Sequence, residues 1–230
     1  MNIPKIIADE LNVKIWQVEK TIELIDDGNT IPFISRYRKE VTGSLNDEQL
    51  RNLDERLTYL RNLDEKKTQV LATIDEQGKL TDDLKKQIED AMTMVAVEDL
   101  YRPYRPKRRT RATIAKEKGL EGLANIISLQ MTKNKIADEA KAYVSAEKEV
   151  NNEDEAIAGA VDILAEAYAD NADYRTRIRD LTRQKGTLIS VAKNPDEKSV
   201  YEMYYDFKEP VNKAVGYRIL AINRGEAEKI

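Results

Sequence analysis

The sequence has 230 residues and sets 38 Lys and Arg against 42 Asp and Glu, a formal net charge of −4, so any polyanion site must come from local clustering. It has neither Cys nor His, which excludes disulfides, thiolate metal sites and cysteine nucleophiles and removes the usual general base near neutral pH. Charged residues make up 35% and aromatics 6%, the balance of a helix-rich chain with a core rather than a β-sandwich or a disordered polymer. No apolar run approaches the roughly 18 residues that span a bilayer, and the N-terminus lacks a signal pattern, so no membrane partner and a cytoplasmic location are expected.

In chain order, Ile6 to Ile25 reads as two short helices joined at Asn12–Val13. Ala8, Leu11, Val13, Val18 and Ile22 fit a helix-turn-helix-like unit, and an ordinary αα-hairpin needs nearly the same spacing. Asp26, Asp27, Gly28 and Asn29 supply turn chemistry. Thr30 and Pro32 then open a short helix in which Phe33 and Ile34 face inward and the arginines outward, and Gly43 closes the segment. Asn46, with Gln49 three residues on, forms a capping-box start for a long helix over 47–76, a rod of roughly 45 Å. Its heptad seam runs through Leu50, Leu53, Leu57 and Leu60, is interrupted by Asp64 and Lys67, and resumes at Leu71 and Ile74. After Gly78, Thr81 caps a helix carrying Leu84, Ile88, Ala91 and Val95 that packs back as an antiparallel neighbour.

A basic, Pro-interrupted stretch follows. Further helices are expected over 119–128, 135–145 and 155–169, the last with Ile157, Val161, Leu164 and Ala165 inward, and 147–155 reads as an exposed connection. Tyr174 to Leu181 continues helically up to Gly186. Thr187 to Val191 has the character of a short strand, Asn194–Pro195 of a turn, and Val200 to Phe207 is Tyr-rich. A last helix begins near Val215 and runs to Ile230 with no terminating signal, which reads as a cut within a longer protein.

Five collinear segments carry a resemblance: IPFISRYRKE (31–40), LYRPYRPKRRTRATIAKEKGLEGLA (100–124), GAVDILAE (159–166), YDFKEP (205–210) and LAINRGE (220–226). Together they resemble the Tex family of bacterial transcription accessory proteins, from near residue 1 to residue 230. Two departures stand out: Tyr217-Arg218 replaces the family's usual His-Arg, and Val161 stands where a basic residue is common. The resemblance implies a much longer protein, with an RNase H-like domain, helix-hairpin-helix modules and a C-terminal OB-fold RNA-binding domain beyond this region. It also implies a non-catalytic nucleic-acid-binding transcription factor (RNA or DNA) whose binding lies mostly in that C-terminal domain, with RNA polymerase or another transcription protein as a candidate partner.

The strongest charged feature is Arg102, Arg105, Lys107, Arg108, Arg109 and Arg111, interleaved with Tyr101 and Tyr104 and held extended by Pro103 and Pro106. Guanidinium groups grip phosphates bidentately and Tyr rings stack on bases, so Arg102, Tyr104, Arg105, Lys107, Arg108, Arg109 and Arg111 form a candidate nucleic-acid site. The same cations can instead brace the loop against Asp and Glu of neighbouring helices. Arg36, Arg38 and Lys39, beside Tyr37, form a smaller candidate patch. Trp16 fits a core or staple role, and Tyr201, Tyr204, Tyr205 and Phe207 fit buried packing better than base stacking. No catalytic, cofactor or metal site is expected: the paired acids Glu98–Asp99, Asp26–Asp27 and Asp82–Asp83 point about 100° apart on a helix, and Gly78–Lys79 has no upstream Gly to make a phosphate loop.

The expected fold is all-α: a multi-helical domain over 1–100, a basic Pro-containing loop over 101–118, and a second helical subdomain over 119–230, truncated at its C-terminal end, with at most one small strand pair. Two functional readings stand side by side: a nucleic-acid-binding module, or a helical protein-interaction scaffold that docks on the transcription machinery or positions later domains.

Overall fold

The computed structural model describes residues 1–230 as two compact units, 1–105 and 106–230. The fold is all-α apart from one pair of short antiparallel strands.

The first unit is organised by a 30-residue helix. Helices α1 (Ile3–Leu11), α2 (Ile15–Asp26) and α3 (Ile31–Tyr37) precede α4 (Asp47–Glu76), and α5 (Asp82–Asp90) and α6 (Met94–Tyr101) follow it. Asn12 takes a left-handed conformation between α1 and α2, which its short polar side chain tolerates better than a branched one. The start of α4 is a reciprocal capping box: Asn46 Oδ1 accepts from the Gln49 amide at 2.8 Å, and Gln49 Oε1 accepts from the Asn46 amide at 3.0 Å.

The buried stripe of α4 is Leu50, Leu53, Leu57, Leu60, Leu63, Lys67, Val70 and Ile74. The heptad reading fails after Leu60: Leu63 and Val70 are buried in place of the expected positions 64 and 71, because the helices packed on α4 change along its length, α1 to α3 giving way to α5 and α6. Lys67 is therefore inside the stripe rather than an interruption of it: it is 5% exposed, and its ammonium donates to the Glu89 carbonyl at 2.6 Å.

The expected helix after Gly78 is two helices. Ala91 leaves helical geometry, and the Thr93 hydroxyl starts α6 by accepting from the Ala96 amide at 3.2 Å. Placing Glu89 beside Lys67 makes α5 run antiparallel to α4, as expected. In α6 the direction reverses: the Met94 amide donates to Tyr59 Oη, Lys66 pairs with Glu98, and Gln77 donates to the Tyr104 carbonyl, so α6 runs parallel to α4. Val95 consequently faces solvent at 50% exposure, while Val97 and Ile88 are buried.

The second unit packs α7 (Arg111–Glu117), α8 (Glu121–Leu129) and α9 (Ile136–Ala140) against α10 (Glu153–Asp170). The inward face of α10 is Ala156, Ala160 and Ile163, with Ile157 and Leu164 half-buried at its margins. Val161 and Ala165, expected inside, are exposed. The expected helix over 135–145 is one turn of α-helix continued by a 3-10 turn, and the connection over 147–155 is anchored rather than loose: Val150 is 1% exposed and exchanges backbone hydrogen bonds with Ser145. Gly159 permits the close approach of α10 to its neighbours, since a Cβ there would lie 2.4 Å from Leu120 Cδ1 and 3.3 Å from Ala115 Cβ.

After α11 (Ala172–Lys185), strands β1 (Thr187–Val191) and β2 (Asp206–Pro210) pair with Ile189 opposite Lys208, and α12 (Gly216–Glu228) follows. Tyr204 is 8% exposed and meets Phe207 edge-on at 5.4 Å, in line with a packing role. Arg218 of α12 places one guanidinium nitrogen 2.7 Å from both carboxylate oxygens of Glu209 and ties that helix to the strand pair.

Two outcomes follow from this packing. Gly159→Val should destabilise the second unit by about 1–3 kcal/mol, because Leu120 is buried and must shift, as read by urea unfolding. Burial holds the Lys67 ammonium below its usual pKa of 10.5, and the nearby Asp64, Asp90 and Glu89 only partly offset this. Between the lowered value and 10.5 the unfolded chain binds more proton, so the stability contributed by this site rises with pH. Wild type should therefore gain on Lys67→Met as pH climbs through that window, and a pH-independent difference in unfolding free energy would contradict the account.

Candidate nucleic-acid interface

The basic segment is built by three local devices. Pro103 sits in a 3-10 turn over Arg102–Tyr104 that continues from α6, and Arg105 then leaves for extended backbone, as a residue before Pro106 must. At the far end the Thr110 hydroxyl accepts from the Thr113 amide at 3.1 Å and starts α7, so helix begins at Arg111, inside the stretch expected to be loop. Between these ends the chain has no regular structure.

The candidate residues divide by what they touch. In the first unit, Arg102 is exposed and engaged in an interaction of its own, and Arg105 is exposed. Tyr104 is half-buried, packed against the first core, which leaves less of its ring for a base. In the second unit, Lys107 is held between two carboxylates of α10, Glu166 at 3.2 Å and the nearly buried Asp170. Burial pulls the Lys107 pKa down, but its hydrogen bonds to Asp170 and Glu166 more than offset that, and the net shift is upward. Arg109 pairs with Glu117 at 2.7 Å and Arg111 approaches Asp162 at 3.5 Å, but their side chains remain 68% and 86% exposed. Surface pairs of this type contribute about 0–1 kcal/mol and exchange readily for another anion. Arg105 and Arg108 are exposed with no acidic partner among the described residues. Within the second unit the segment thus has one braced lysine and exposed guanidinium groups at Arg108, Arg109 and Arg111, able to take phosphate oxygens bidentately.

The smaller patch lies on α3. Arg36, Tyr37 and Lys39 are exposed, and Arg38 is half-buried with its guanidinium carbon 5.2 Å from the centre of the Phe33 ring. Phe33, expected to face inward with Ile34, is 36% exposed while Ile34 is buried. Trp16 is 46% exposed rather than core, and rests on Gly43.

A third group of cations lies outside the residues expected from sequence. Arg177, Arg183 and Lys185 are exposed on α11, a helix with no buried residue, and the signal was the density of cations between Arg175 and Lys185.

An all-α protein that displays an arginine-rich strap between helices is the class that these features define. The sequence profile for the Tex-like protein N-terminal domain matches residues 1–75, and that for the Tex central region matches residues 132–230. The chain belongs to the Tex family. Among its relatives, a Bacillus subtilis protein designated YdcI is 48% identical over 227 residues, covering 97% of this chain and 32% of that protein. The transcriptional accessory protein Tex of Neisseria gonorrhoeae is 43% identical over 232 residues, covering all of this chain and 30% of that protein. The human S1 RNA-binding domain-containing protein 1 is 28% identical over 235 residues, 98% of this chain and 23% of that protein. The chain thus spans about a third or less of the length of these relatives.

Lys107→Ala should cost the second unit about 1–3 kcal/mol, because it leaves the nearly buried Asp170 without its ammonium partner, whereas Arg108→Ala should fall within about 0.5 kcal/mol of wild type. Chemical denaturation of both variants checks the distinction between brace and free cation.

Proposed function

We propose that this chain is a non-catalytic nucleic-acid-binding part of a Tex-type transcription accessory protein, and that the strap from Arg102 to Arg111 contacts phosphates. The observation that carries this reading is the outward display of Arg105, Arg108, Arg109 and Arg111, none of them held by more than an exposed ion pair. Contacts of this kind grip the backbone without reading sequence, so RNA and DNA are both candidates. The name of the human relative, which includes an S1 RNA-binding domain, supports a nucleic-acid role for the whole protein. A role without catalysis is supported by a sequence lacking His and Cys. No helix is long and apolar enough to cross a membrane, in keeping with a cytoplasmic site of action.

A second reading, a protein-interaction scaffold with RNA polymerase or the protein's own later domains as partner, is favoured by α11. Tyr174, Ile178 and Leu181 recur there at helical spacing, each at least 50% exposed.

Fluorescence anisotropy with single-stranded RNA and duplex DNA at low and moderate salt separates the two. The strap reading expects binding that weakens with salt, with a log–log slope of about −0.9 per phosphate contact on duplex DNA. It also expects that Arg108→Glu/Arg109→Glu, checked for folding by circular dichroism, loses most of it. Absence of binding by wild type at low salt would transfer the weight to the scaffold reading.

A further inference from the structure

We infer that α3 and the turn after it form a base-stacking platform for single-stranded nucleic acid, separate from the arginine strap. Phe33 and Tyr37, one helical turn apart, bring their ring centres to 5.3 Å at an interplanar angle of 48°. The Arg38 guanidinium lies 5.2 Å from the Phe33 ring centre and donates to the Tyr37 carbonyl at 3.2 Å. Tyr37 is 61% exposed and Trp16 46%, large values for rings that usually bury most of their surface.

Trp16 borders the same turn. Its ring lies so close to Gly43 that a Cβ there would fall 2.5 Å from Cη2, and the neighbouring Gln17 amide donates to the Thr42 and Gly43 carbonyls at 3.2 and 2.9 Å. That turn starts from Arg38 and Lys39, whose carbonyls accept from the Thr42 and Ser44 amides. The segment 31–43 therefore carries Phe33 and Tyr37 with Arg36, Arg38 and Lys39 against one acid, Glu40, and Trp16 packs on its last glycine.

The chemistry of that combination selects its ligand. An apolar protein partner would favour rings without flanking cations, and a duplex hides its base faces within the stack. A single strand offers both unstacked bases for the rings and phosphates for the guanidinium and ammonium groups. The platform and the strap are independent: either can bind while the other does not.

Trp16 is the sole tryptophan, so its emission reports on this surface alone. Titration with a uridine dodecamer at low salt should quench or shift that emission, whereas a duplex of equal length and an inorganic polyphosphate should leave it nearly unchanged. Tyr37→Ala, at an exposed position and checked by circular dichroism, should weaken strand binding about ten-fold. Arg108→Glu/Arg109→Glu should retain both the quenching and its dependence on Tyr37. Quenching by polyphosphate equal to that by the strand, an unresponsive Trp16 at saturating strand, or unchanged affinity in Tyr37→Ala would each overturn the platform. Loss of quenching in the strap variant would show that the two sites are one.

Discussion

Burial of one stripe along α4 is the constraint on which the first unit depends. Every other helix of that unit takes its position from the leucines at 50, 53, 57, 60 and 63 and from Val70 and Ile74. Helices α1 to α3 meet its N-terminal part, α5 packs beside its second half, and α6 runs along it from Tyr59 to Gln77. The surface pairs Arg56–Glu10 and Arg61–Asp26, with donor–acceptor distances of 2.7 Å, follow from that placement rather than cause it, since half-exposed pairs add little on their own. The short α3 owes its rigidity to the same stripe: it buries Ile34 there and turns Tyr37 and Arg36 outward.

The strap obeys a different logic. Lysine is a compact point charge, and Lys107 satisfies two carboxylates of α10 that would otherwise repel each other at the end of that helix. The neighbouring guanidinium groups keep their broad, weakly hydrated planes in solvent. A segment pinned at Lys107, with Arg108 exposed and Arg109 and Arg111 in exposed surface pairs, is held in place while retaining its capacity for phosphate.

The sequence made α4 legible to the residue because its ends carry explicit chemistry, the Asn46–Gln49 box and Gly78 at a positive φ of 65°. Its interior departs from the heptad beyond Leu60 because the buried face follows partners, α5 and α6, whose placement no local pattern in α4 encodes. The break between α5 and α6 was hidden because Ala91 and Val95 keep helical spacing across a point where the backbone departs from it. Helix α7 was hidden by charge: cations dominate the stretch into which the Thr110 cap falls. At the candidate site, the cations were readable but not their partners, since Glu166 and Asp170 lie some sixty residues further along the chain. Exposure of Trp16 was unreadable for the same reason, depending on Gly43 in a turn that belongs to another element.

The two cores are made of different material. Of the fourteen fully buried apolar residues in the first, only Ala8 is small, whereas alanine supplies six of the ten in the second. Alanine removes little hydrocarbon from water, so the second unit must draw its cohesion from close backbone approach of the kind Gly159 permits. Heat capacity on unfolding scales with apolar area exposed, and the residues released by the second unit carry less of it. Its stability curve is accordingly flatter with temperature, residue for residue, than that of the leucine-built unit that precedes it in the chain.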